Sequence, residues 1–394
     1  MRWARYFLRW PLVLLALLAS PVARAQQLDF QRTDSLSRVL LVQHRYRALD
    51  SLGRVARQQQ ATYPALSRRL GAGALAADRP AAALGYYGAA LRENPLDPDA
   101  RAGLALAHQA LNQPGPATLL AQPLPDSLRR ALGLPGPRAI ASVEAETSVL
   151  ATTEHRRGTA TYGRLGVGSR LGRRVALSQE LSYYRQQVER PRIGFPGEVL
   201  LHTARQVQYH ALLAVQLTGR WQAKAGYDFI SPDRGANHLG YLALGYTQPY
   251  FTVQGGLYAG TLADSARTQA DLRLTVYPLG NLRLYAFGRG SLVGSGGSTF
   301  ANGLLGAGGR LRPWLWAEAW TSGGYVPVLA ELDGTYVYNL LDPLRRRTAL
   351  SLLILAARPL TLRLTYGTEQ RHIAALGGID YTLHSFTTSF VWNW

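Results

Sequence analysis

Histidines near the ends of predicted strands are the side chains of this sequence that could act as a catalytic base. They stand close to residues that could act as a nucleophile or orient the imidazole: His202 and His238 near Ser231 and Asp233, His372 near Asp380, and His384 beside Ser385. Such neighbours are the parts of a hydrolytic site, but none of them has the spacing of a catalytic motif. We therefore expect no enzymatic activity and name no catalytic residue.

Metal and cofactor chemistry has still fewer candidate residues. The chain has no cysteine, and its eight histidines form no clustered pair of the kind that binds zinc. It also has no acidic loop of the kind that binds calcium. We expect neither a metal ion nor a bound cofactor.

Charged and aromatic residues at every second position of predicted strands form a larger group. Their alternation directs them into the interior of a barrel, and the candidates for this lining are Arg164, Lys224, Asp228, Asp271, Arg273, Arg283, Tyr285, Arg289, Arg310 and Arg363. Two interpretations stay open. Opposite charges could pair across a filled interior and brace it, or arginine forks and aromatic faces could line a path for a hydrated, anionic glycan.

The elements that position these residues are segments in which apolar and polar residues alternate, beginning near Ala139. The segment 206–217 is one example, with Val207, Tyr209 and Leu213 on one face. We place strands near 141–151, 158–170, 174–188, 202–217, 220–230, 237–247, 250–260, 267–277, 281–292, 300–311, 314–322, 346–356, 359–370 and 382–394. Segments of about ten residues can cross a bilayer when they are tilted.

The connections between these strands alternate in length. Those after the second, fourth, sixth, eighth, tenth and twelfth strands are tight, and the intervening ones are mostly longer, up to 323–345. Short turns at one end and long loops at the other are typical of an outer-membrane barrel with both termini in the periplasm. We predict an all-β antiparallel barrel of about 14 strands over 140–394. Residues 335–340 could be an extra strand, a loop hairpin or an inward fold of the longest loop.

One predicted strand does not have a simple alternation. Around 313–321 the tryptophans share a face with Glu318, so either the carboxylate meets lipid or the tryptophans meet the interior. A charge in hydrocarbon costs several kcal/mol, on the order of 2–4 for a basic residue at the bilayer midplane. We therefore expect Glu318 to point inward.

The last predicted strand has aromatic residues on one face. Phe386, Phe390, Trp392 and Trp394 alternate with polar residues, and the sequence closes on the last of them. This tail resembles the C-terminal strand by which bacterial outer-membrane proteins are recognised for insertion. The resemblance implies the barrel assembly machinery as a partner.

The first 25 residues have the features of a signal peptide. Arg2, Arg5 and Arg9 precede an apolar run that is too short to span a bilayer, and Ala23-Arg24-Ala25 is a small-x-small cleavage site. We predict cleavage after Ala25. The expected location is therefore the outer membrane of a Gram-negative cell, with the N-terminal domain in the periplasm.

The sequence is strongly basic. The formal net charge is +19, and removal of the four arginines of the predicted signal peptide leaves +15. All 43 basic residues except Lys224 are arginine. A GC-rich genome explains that choice, or the arginines bind anions such as lipid phosphates or acidic polysaccharide. We do not expect nucleic acid as a partner of an exported chain.

Residues 26–122 have the apolar spacing of helices and contain a degenerate repeat. The residues that match the packing positions of the 34-residue tetratricopeptide pattern are Leu70, Gly71, Ala83, Tyr87, Ala90 and Pro95. About three helix pairs are enough to bury a core. We predict a short tetratricopeptide-like periplasmic domain, with a generic helical bundle or spacer as the alternative. A proline-rich linker over 123–139 follows it.

This arrangement of signal, short helical repeats and C-terminal barrel resembles the YaiO family of outer-membrane proteins. The similarity covers about residues 140–394 and includes Glu331-Leu332-Asp333-Gly334, Tyr336-Val337-Tyr338-Asn339 and Leu341-Asp342. It implies the location and the fold. The helices also look like the longer periplasmic scaffolds of polysaccharide exporters.

Two classes of function stay open. In the first, the barrel is a channel or secretion component for polysaccharide or another polar solute, and the helices bind periplasmic machinery. In the second, it is a non-conducting structural or assembly protein whose helical repeats bind periplasmic partners. Outer-membrane lipids, including lipopolysaccharide, are expected to surround the barrel in both.

Overall fold

The computed structural model describes residues 29–134, 136–191, 199–233, 235–262, 265–338, 342–356, 359–373 and 378–394. The predicted signal peptide and its cleavage site after Ala25 lie outside these residues. Within them, no helix is long and apolar enough to cross a membrane. The described chain forms a group of helices followed by a closed barrel of fourteen antiparallel strands. The predicted combination of a short helical domain and a barrel of about 14 strands is confirmed.

Seven helices precede the barrel in the described part of the chain. They are α1 (Phe30–Val42), α2 (Tyr46–Gln58), α3 (Pro64–Ala76), α4 (Pro80–Glu93), α5 (Pro98–Ala110), α6 (Pro114–Ala121) and α7 (Asp126–Ala131). Proline opens α3, α4, α5 and α6, a position where its missing N–H has no partner to lose. Helices α1 to α5 each pack against the next helix in the chain.

The ring of Tyr87 lies at the centre of the helical core. It stands on α4 between two glycines of the neighbouring helices, Gly71 on α3 and Gly103 on α5. A Cβ atom at these glycines would lie 2.8 and 2.2 Å from ring atoms of Tyr87, so the ring needs both positions to be free of a side chain. The other residues predicted to pack the repeat are Leu70, Ala83 and Ala90, which are buried, and Pro95, which is exposed.

The segment predicted as a proline-rich linker over 123–139 is not irregular throughout. It contains α7, which begins directly after Pro125, and the side chains of Leu124 and Leu134 are buried against α5 and α6. Proline is tolerated before a first helical turn, which is why this proline starts a helix rather than preventing one. The first barrel strand begins at Arg138, two residues before the predicted start of the barrel.

Fourteen of the sixteen described strands form the barrel. They are β1 (Arg138–Thr152), β2 (Arg157–Arg170), β3 (Val175–Pro191), β4 (Val199–Gln216), β5 (Trp221–Pro232), β6 (Asn237–Thr247), β7 (Phe251–Leu262), β8 (Ser265–Val276), β9 (Tyr285–Ser295), β10 (Ser298–Arg312), β11 (Leu315–Val326), β14 (Leu344–Leu355), β15 (Leu360–Ile373) and β16 (Ile379–Asn393). Each strand pairs with its neighbour, and β16 pairs with β1, with Phe390 opposite Ala145. The aromatic last strand therefore closes the ring.

The outer face of the barrel is apolar and has aromatic residues at two levels. Exposed aromatic side chains at the short-turn end include Trp221, Tyr250, Phe251, Trp314, Trp392 and Trp394, and those toward the other end include Tyr183, Tyr227, Phe229, Tyr325 and Tyr366. Trp221 and Phe229 are eight residues apart on β5. A rise of about 3.4 Å per residue and a tilt of about 40° place them at heights about 20 Å apart.

The ends of the barrel differ from the predicted connections in two places. Residues 281–284 belong to the turn after β8, so the strand predicted over 281–292 begins at Tyr285. At the opposite end, β9 and β10 are joined by Gly296 and Gly297 alone, both with positive φ, which is the geometry of a two-residue hairpin. The strands extend beyond the aromatic residues here, so several loops are shorter than predicted.

The longest connection runs from β11 to β14 and contains a small hairpin. Its strands are β12 (Leu329–Glu331) and β13 (Tyr336–Tyr338), and a 3₁₀ turn at Leu332–Gly334 joins them. Of the three possibilities for 335–340, the structure shows a loop hairpin that folds inward. Residues 339–341, including Asn339 and Leu341 of the family resemblance, lie outside the described residues.

Candidate functional site in the barrel interior

The interior loop, residues 327–338, enters the barrel and turns back at Leu332–Gly334. All three residues of this turn have positive φ, with 49° at Leu332, 63° at Asp333 and 104° at Gly334. A Cβ at position 334 would lie 2.7 Å from Asp228 Oδ2 and 2.8 Å from the ring of His210. The turn can therefore seat against the barrel wall only with glycine at this position.

Asp333 is bound at the tip of the interior loop by three strands of the wall. Its carboxylate accepts hydrogen bonds from Lys224 Nζ at 2.6 Å, Tyr241 Oη at 2.7 Å and Gln254 Nε2 at 2.8 Å. Arg273 Nη1 lies 3.9 Å from the same carboxylate. A buried carboxylate needs such partners, and Asp333 has one cation and two neutral donors in direct contact.

Glu331 joins the loop to a different part of the wall. It forms an ion pair with Arg289, and the two side chains are 6% and 4% exposed. Its second oxygen lies 2.8 Å from Arg347 Nη1. Arg347 in turn lies 3.2 Å from Glu369 and stacks on the ring of Trp320. Glu331 therefore belongs to a buried network of two carboxylates and three guanidinium groups, the third being that of Arg371 beside Glu369.

Two tyrosines of β13 reach the opposite side of the barrel. Tyr336 donates a hydrogen bond from its hydroxyl to Glu146 on β1 and packs under the guanidinium of Arg164. Tyr338 lies between the guanidinium groups of Arg347 and Arg371. The loop also contacts Gln269 of β8 through Ala330. Since β1 and β8 lie opposite each other in the strand order, the interior loop spans the lumen from wall to wall.

Backbone and apolar contacts also hold the loop. Gln269 accepts from the N–H of Ala330 at 3.0 Å and donates to its carbonyl at 2.7 Å. Val328 and Val337 are buried in a cluster with Tyr258 of β7. The apolar side chains make this edge of the loop part of a packed core rather than a solvated strap.

A buried histidine and aspartate stand beside the turn. His210 Nδ1 lies 2.8 Å from Asp228 Oδ1, and Gln208 Nε2 donates both to that oxygen and to the carbonyl of Gly334. The hydrogen bond between His210 Nδ1 and Asp228 is therefore buried in the wall beside the turn. The second oxygen of Asp228 has no partner among the described residues.

The space that the interior loop leaves open is a cavity of about 290 Å³. Its wall includes serine and threonine side chains of β14, β15 and β16, together with Arg363, Trp320 and Tyr184. The guanidinium-bearing side chain of Arg363 is exposed to this cavity. Polar walls, a cation and aromatic faces are suited to a small hydrated solute with an anionic or hydroxylated group.

The remaining predicted lining residues fall into two groups. Arg164 is buried among Glu144, Glu146 and Glu180, Tyr285 donates to Glu318, and Asp271 accepts from Gln269. These contacts join one wall residue to another. Arg283 and Arg310 instead lie at the short-turn end, where both bind Asp78 of the helical domain. They do not line the middle of the lumen, because the first lies in a turn and the second near the end of β10.

The helical domain lies against the short-turn end of the barrel. Asn281 donates to the carbonyl of Asp78 at 2.9 Å, and the N–H of Ala81 donates to the carbonyl of Gly280 at 3.1 Å. Gln113 reaches the carbonyl of Gln248 in the turn after β6 at 3.3 Å. The two parts of the chain therefore meet at several turns on one side of the barrel mouth.

Asp50 and His108 are among the titratable groups of the helical domain whose pKa values are shifted. Burial raises the pKa of Asp50, but hydrogen bonds from Tyr86 and Arg79 outweigh it, so the pKa lies below its ordinary value. Burial lowers the pKa of His108, and a hydrogen bond to Gln113 opposes the shift in part. Gln113 is also one of the residues that contact the barrel, so His108 stands directly behind that contact.

The four histidines near the strand ends that were considered as catalytic bases contact acidic residues or tyrosines. His202 lies 3.0 Å from Asp233, His372 lies 2.6 Å from Asp380, and His238 and His384 contact Tyr227 and Tyr366. Among the described residues, no serine hydroxyl is bonded to a histidine. The same part of the chain contains no group of three or more metal-ligating side chains.

The residues of the interior loop that contact the wall were not among the predicted lining residues. Glu331, Asp333, Tyr336 and Tyr338 lie in the segments on which the family resemblance rests, between two long strands. A signal was present, since two acids and two tyrosines in one long loop have the complementary chemistry to the arginines of the wall. Spacing alone could not show that this loop folds inward.

Comparison with known proteins adds only distant similarities. No family model matches the sequence, and no curated protein matches it. Similar solved structures include the Pseudomonas putida toluene transporter TodX (10% identity, TM-score 0.45, covering 65% of this chain and 90% of that one). A bacterial polysaccharide outer membrane secretin (11%, 0.42, 65% and 99%) and a Pseudomonas aeruginosa FadL homologue (10%, 0.45, 75% and 94%) are further examples. At these values the similarity carries no information on a substrate.

Proposed function

We propose that this chain is an outer-membrane protein whose barrel does not conduct at rest and whose helical domain binds periplasmic partners. The apolar outer face supports the membrane location, because large exposed apolar surfaces are rare on soluble proteins. The two levels of aromatic residues, about 20 Å apart, resemble the interfacial girdles of transmembrane barrels. The short-turn end, which also carries the helical domain, corresponds to the periplasmic side.

The observation that supports a non-conducting barrel is the set of buried contacts between the interior loop and the barrel wall. Glu331 and Arg289 are both almost fully buried, and removal of one partner from such a pair costs about 3–5 kcal/mol. Asp333 has its own set of donors on a separate part of the wall. A loop held at two such points is a stable part of the folded barrel, which favours a structural or assembly role over a permanently open pore.

Conductance in planar bilayers tests this proposal. The intact protein is expected to show no steady conductance, whereas a variant in which residues 329–338 are replaced by a short glycine-serine linker should conduct. The barrel of both proteins must first be shown to be folded by its resistance to SDS before heating. Steady conductance of the intact protein, or a folded deletion variant that stays closed, would contradict the role of the loop.

A second candidate function is controlled passage of a polar solute such as a polysaccharide segment. The observation in its favour is the cavity of about 290 Å³ with the exposed Arg363 in its wall. If the cavity is part of a path, Arg363→Glu should reduce anion conductance in the loop-deletion variant. Arg283 is not suited to this test because it binds Asp78. Unchanged anion selectivity would contradict a path along this wall.

The assignment to the YaiO family and the tetratricopeptide-like character of the helices are part of the proposal. The placement of Tyr87 between Gly71 and Gly103 supports the second, because small residues at repeated positions allow helices to approach closely. Isothermal titration of the intact protein with candidate periplasmic proteins would test the partner role. We expect the loss of binding when exposed residues of α1 and α2 are changed, since these helices lie farthest along the chain from the barrel.

A further inference from the structure

Two arginines stand directly opposite each other on the outer surface of the barrel. Arg185 of β3 is in register with Arg205 of β4, and both side chains are exposed. Within the described residues, neither guanidinium group has a hydrogen bond or an ion pair. Cβ atoms of directly opposite residues are about 4.5–5.5 Å apart, so the two positive charges repel each other.

The pair lies at a defined height on the barrel. Arg185 follows Tyr183 by two residues on the same face of β3. Tyr183 belongs to the level of exposed aromatic residues that lies farther from the short-turn end. Arg205 lies at the same height, because it is in register, and Val207 continues its face toward the middle of the barrel. Immediately beyond an aromatic girdle is the level of the lipid head groups.

The immediate neighbours of the pair are polar, and the exposed Leu201 follows two residues beyond Thr203 on the same face. Thr161 of β2 is in register with Arg185, and Gln187 is in register with Thr203 one step farther along the strands. The nearby carboxylate of Asp233 accepts from the backbone N–H of Arg205 at 3.1 Å and lies 3.0 Å from His202. Among the described residues it has no direct contact with the guanidinium group of Arg185 or Arg205.

Other arginines at this end of the barrel have different surroundings. Arg345 forms an ion pair with Asp380 at 2.6 Å. Arg346 is exposed but stands opposite Gln370 and Gly323 rather than opposite a second arginine. The β3–β4 pair thus combines two unpaired guanidinium groups that can reach one anion from both sides.

We propose that Arg185 and Arg205 together bind a phosphate group of the phosphorylated glycolipid in the outer leaflet. Guanidinium groups donate planar pairs of N–H bonds that fit the oxygen atoms of a phosphate. A phosphate between them also removes the repulsion of the two charges. The inference rests on the proposed membrane location, since the height of the pair matters only in a bilayer.

Native mass spectrometry of the intact protein with added lipid A, which carries two phosphates, tests the site. The variant R185Q/R205Q is expected to retain lipid A about tenfold less well than the unchanged protein. The matched control R312Q/R346Q removes the same charge from two exposed arginines that are not opposite each other. Equal loss of lipid A in both variants would overturn the site and show a non-specific effect of charge.

Two further measurements separate the possible sources of the anion. Dephosphorylated lipid A should bind the unchanged protein and R185Q/R205Q equally, because the group that the arginines contact is missing. Millimolar inorganic phosphate should not displace lipid A, and displacement would show that the site takes free phosphate instead. Either contrary result overturns the proposal of a lipid phosphate.

Membrane insertion must be measured on the same samples. Insertion of all variants into vesicles, followed by unchanged lipid A retention in R185Q/R205Q, would overturn the site and leave the proposed location intact. If the unchanged protein does not insert into vesicles, the proposed location itself fails. The two failures are therefore distinguishable.

Discussion

Replacement of Glu331 by glutamine should release the interior loop. The change leaves Arg289 buried without its ion-pair partner, while Arg347 keeps its contact with Glu369. Breaking a buried ion pair from one side costs about 3–5 kcal/mol. Because each 1.4 kcal/mol is about a factor of ten in an equilibrium constant, the ratio of released to seated loop should rise by about two to three and a half powers of ten.

The frequency of opening in planar bilayers measures this ratio. The matched control is Glu318→Gln, because Glu318 also faces the interior and loses the same charge but contacts Tyr285 of the wall. We expect frequent openings with E331Q and rare ones with E318Q and the unchanged protein. If E331Q opens no more often than E318Q, the buried ion pair does not hold the loop and the reasoning fails.

Three further changes test the helical domain and its contact with the barrel. Replacing Gln113 and Gln248 by cysteine in this cysteine-free chain should allow a disulfide between the helical domain and the barrel. Asp78→Asn should slow the formation of this disulfide by about threefold to tenfold, because the partly exposed ion pairs of Asp78 each contribute little. An unchanged rate of disulfide formation would contradict the contact between the helical domain and the barrel. Gly103→Ala should lower the free energy of unfolding of the helices by about 1–3 kcal/mol, because the added methyl group would overlap the ring of Tyr87. Thermal unfolding followed by circular dichroism measures this change. An unchanged melting curve would show that the ring of Tyr87 can move away. The depressed pKa of Asp50 means that its contribution to stability is present above its ordinary value of 3.8 and is lost as the pH falls through the lower folded value. The melting temperature should therefore fall on acidification below about pH 4, less steeply in Asp50→Asn, and equal slopes would refute this.

Much of the architecture follows from local patterns. The alternation of side chains places Trp320 and Glu318 on the inner face of β11, where Glu318 accepts from Tyr285. It also places the aromatic residues of β16 on the outer face. Prolines at 64, 80, 98 and 114 mark the starts of four helices. These features depend on residues close together in the chain, because the period of a strand or helix is set by its own backbone.

The candidate site depends on pairs that are far apart in the sequence. Asp333 binds Lys224 across 109 positions, Glu331 binds Arg289 across 42, and Asp78 binds Arg310 across 232. Alternation shows which face of a strand Arg310 occupies, but its height near the end of β10 decides that it meets the helical domain. The predicted linker also depends on contacts that local patterns do not show. Burial of Leu124 and Leu134 against neighbouring helices stabilises a short helix among its prolines.

The sequence by itself determined the change from helices to strands, a barrel of about fourteen strands and the face that most strand residues occupy, because these follow from the local period of the backbone. Only the tertiary structure decided that the longest loop turns inward and crosses the lumen. That choice depends on whether Glu331 and Asp333 find cations on strands that meet them only in the folded barrel. Coulomb and hydrogen-bond energies act over a few ångströms in space, and no spacing along the chain records which distant residues will lie within that distance.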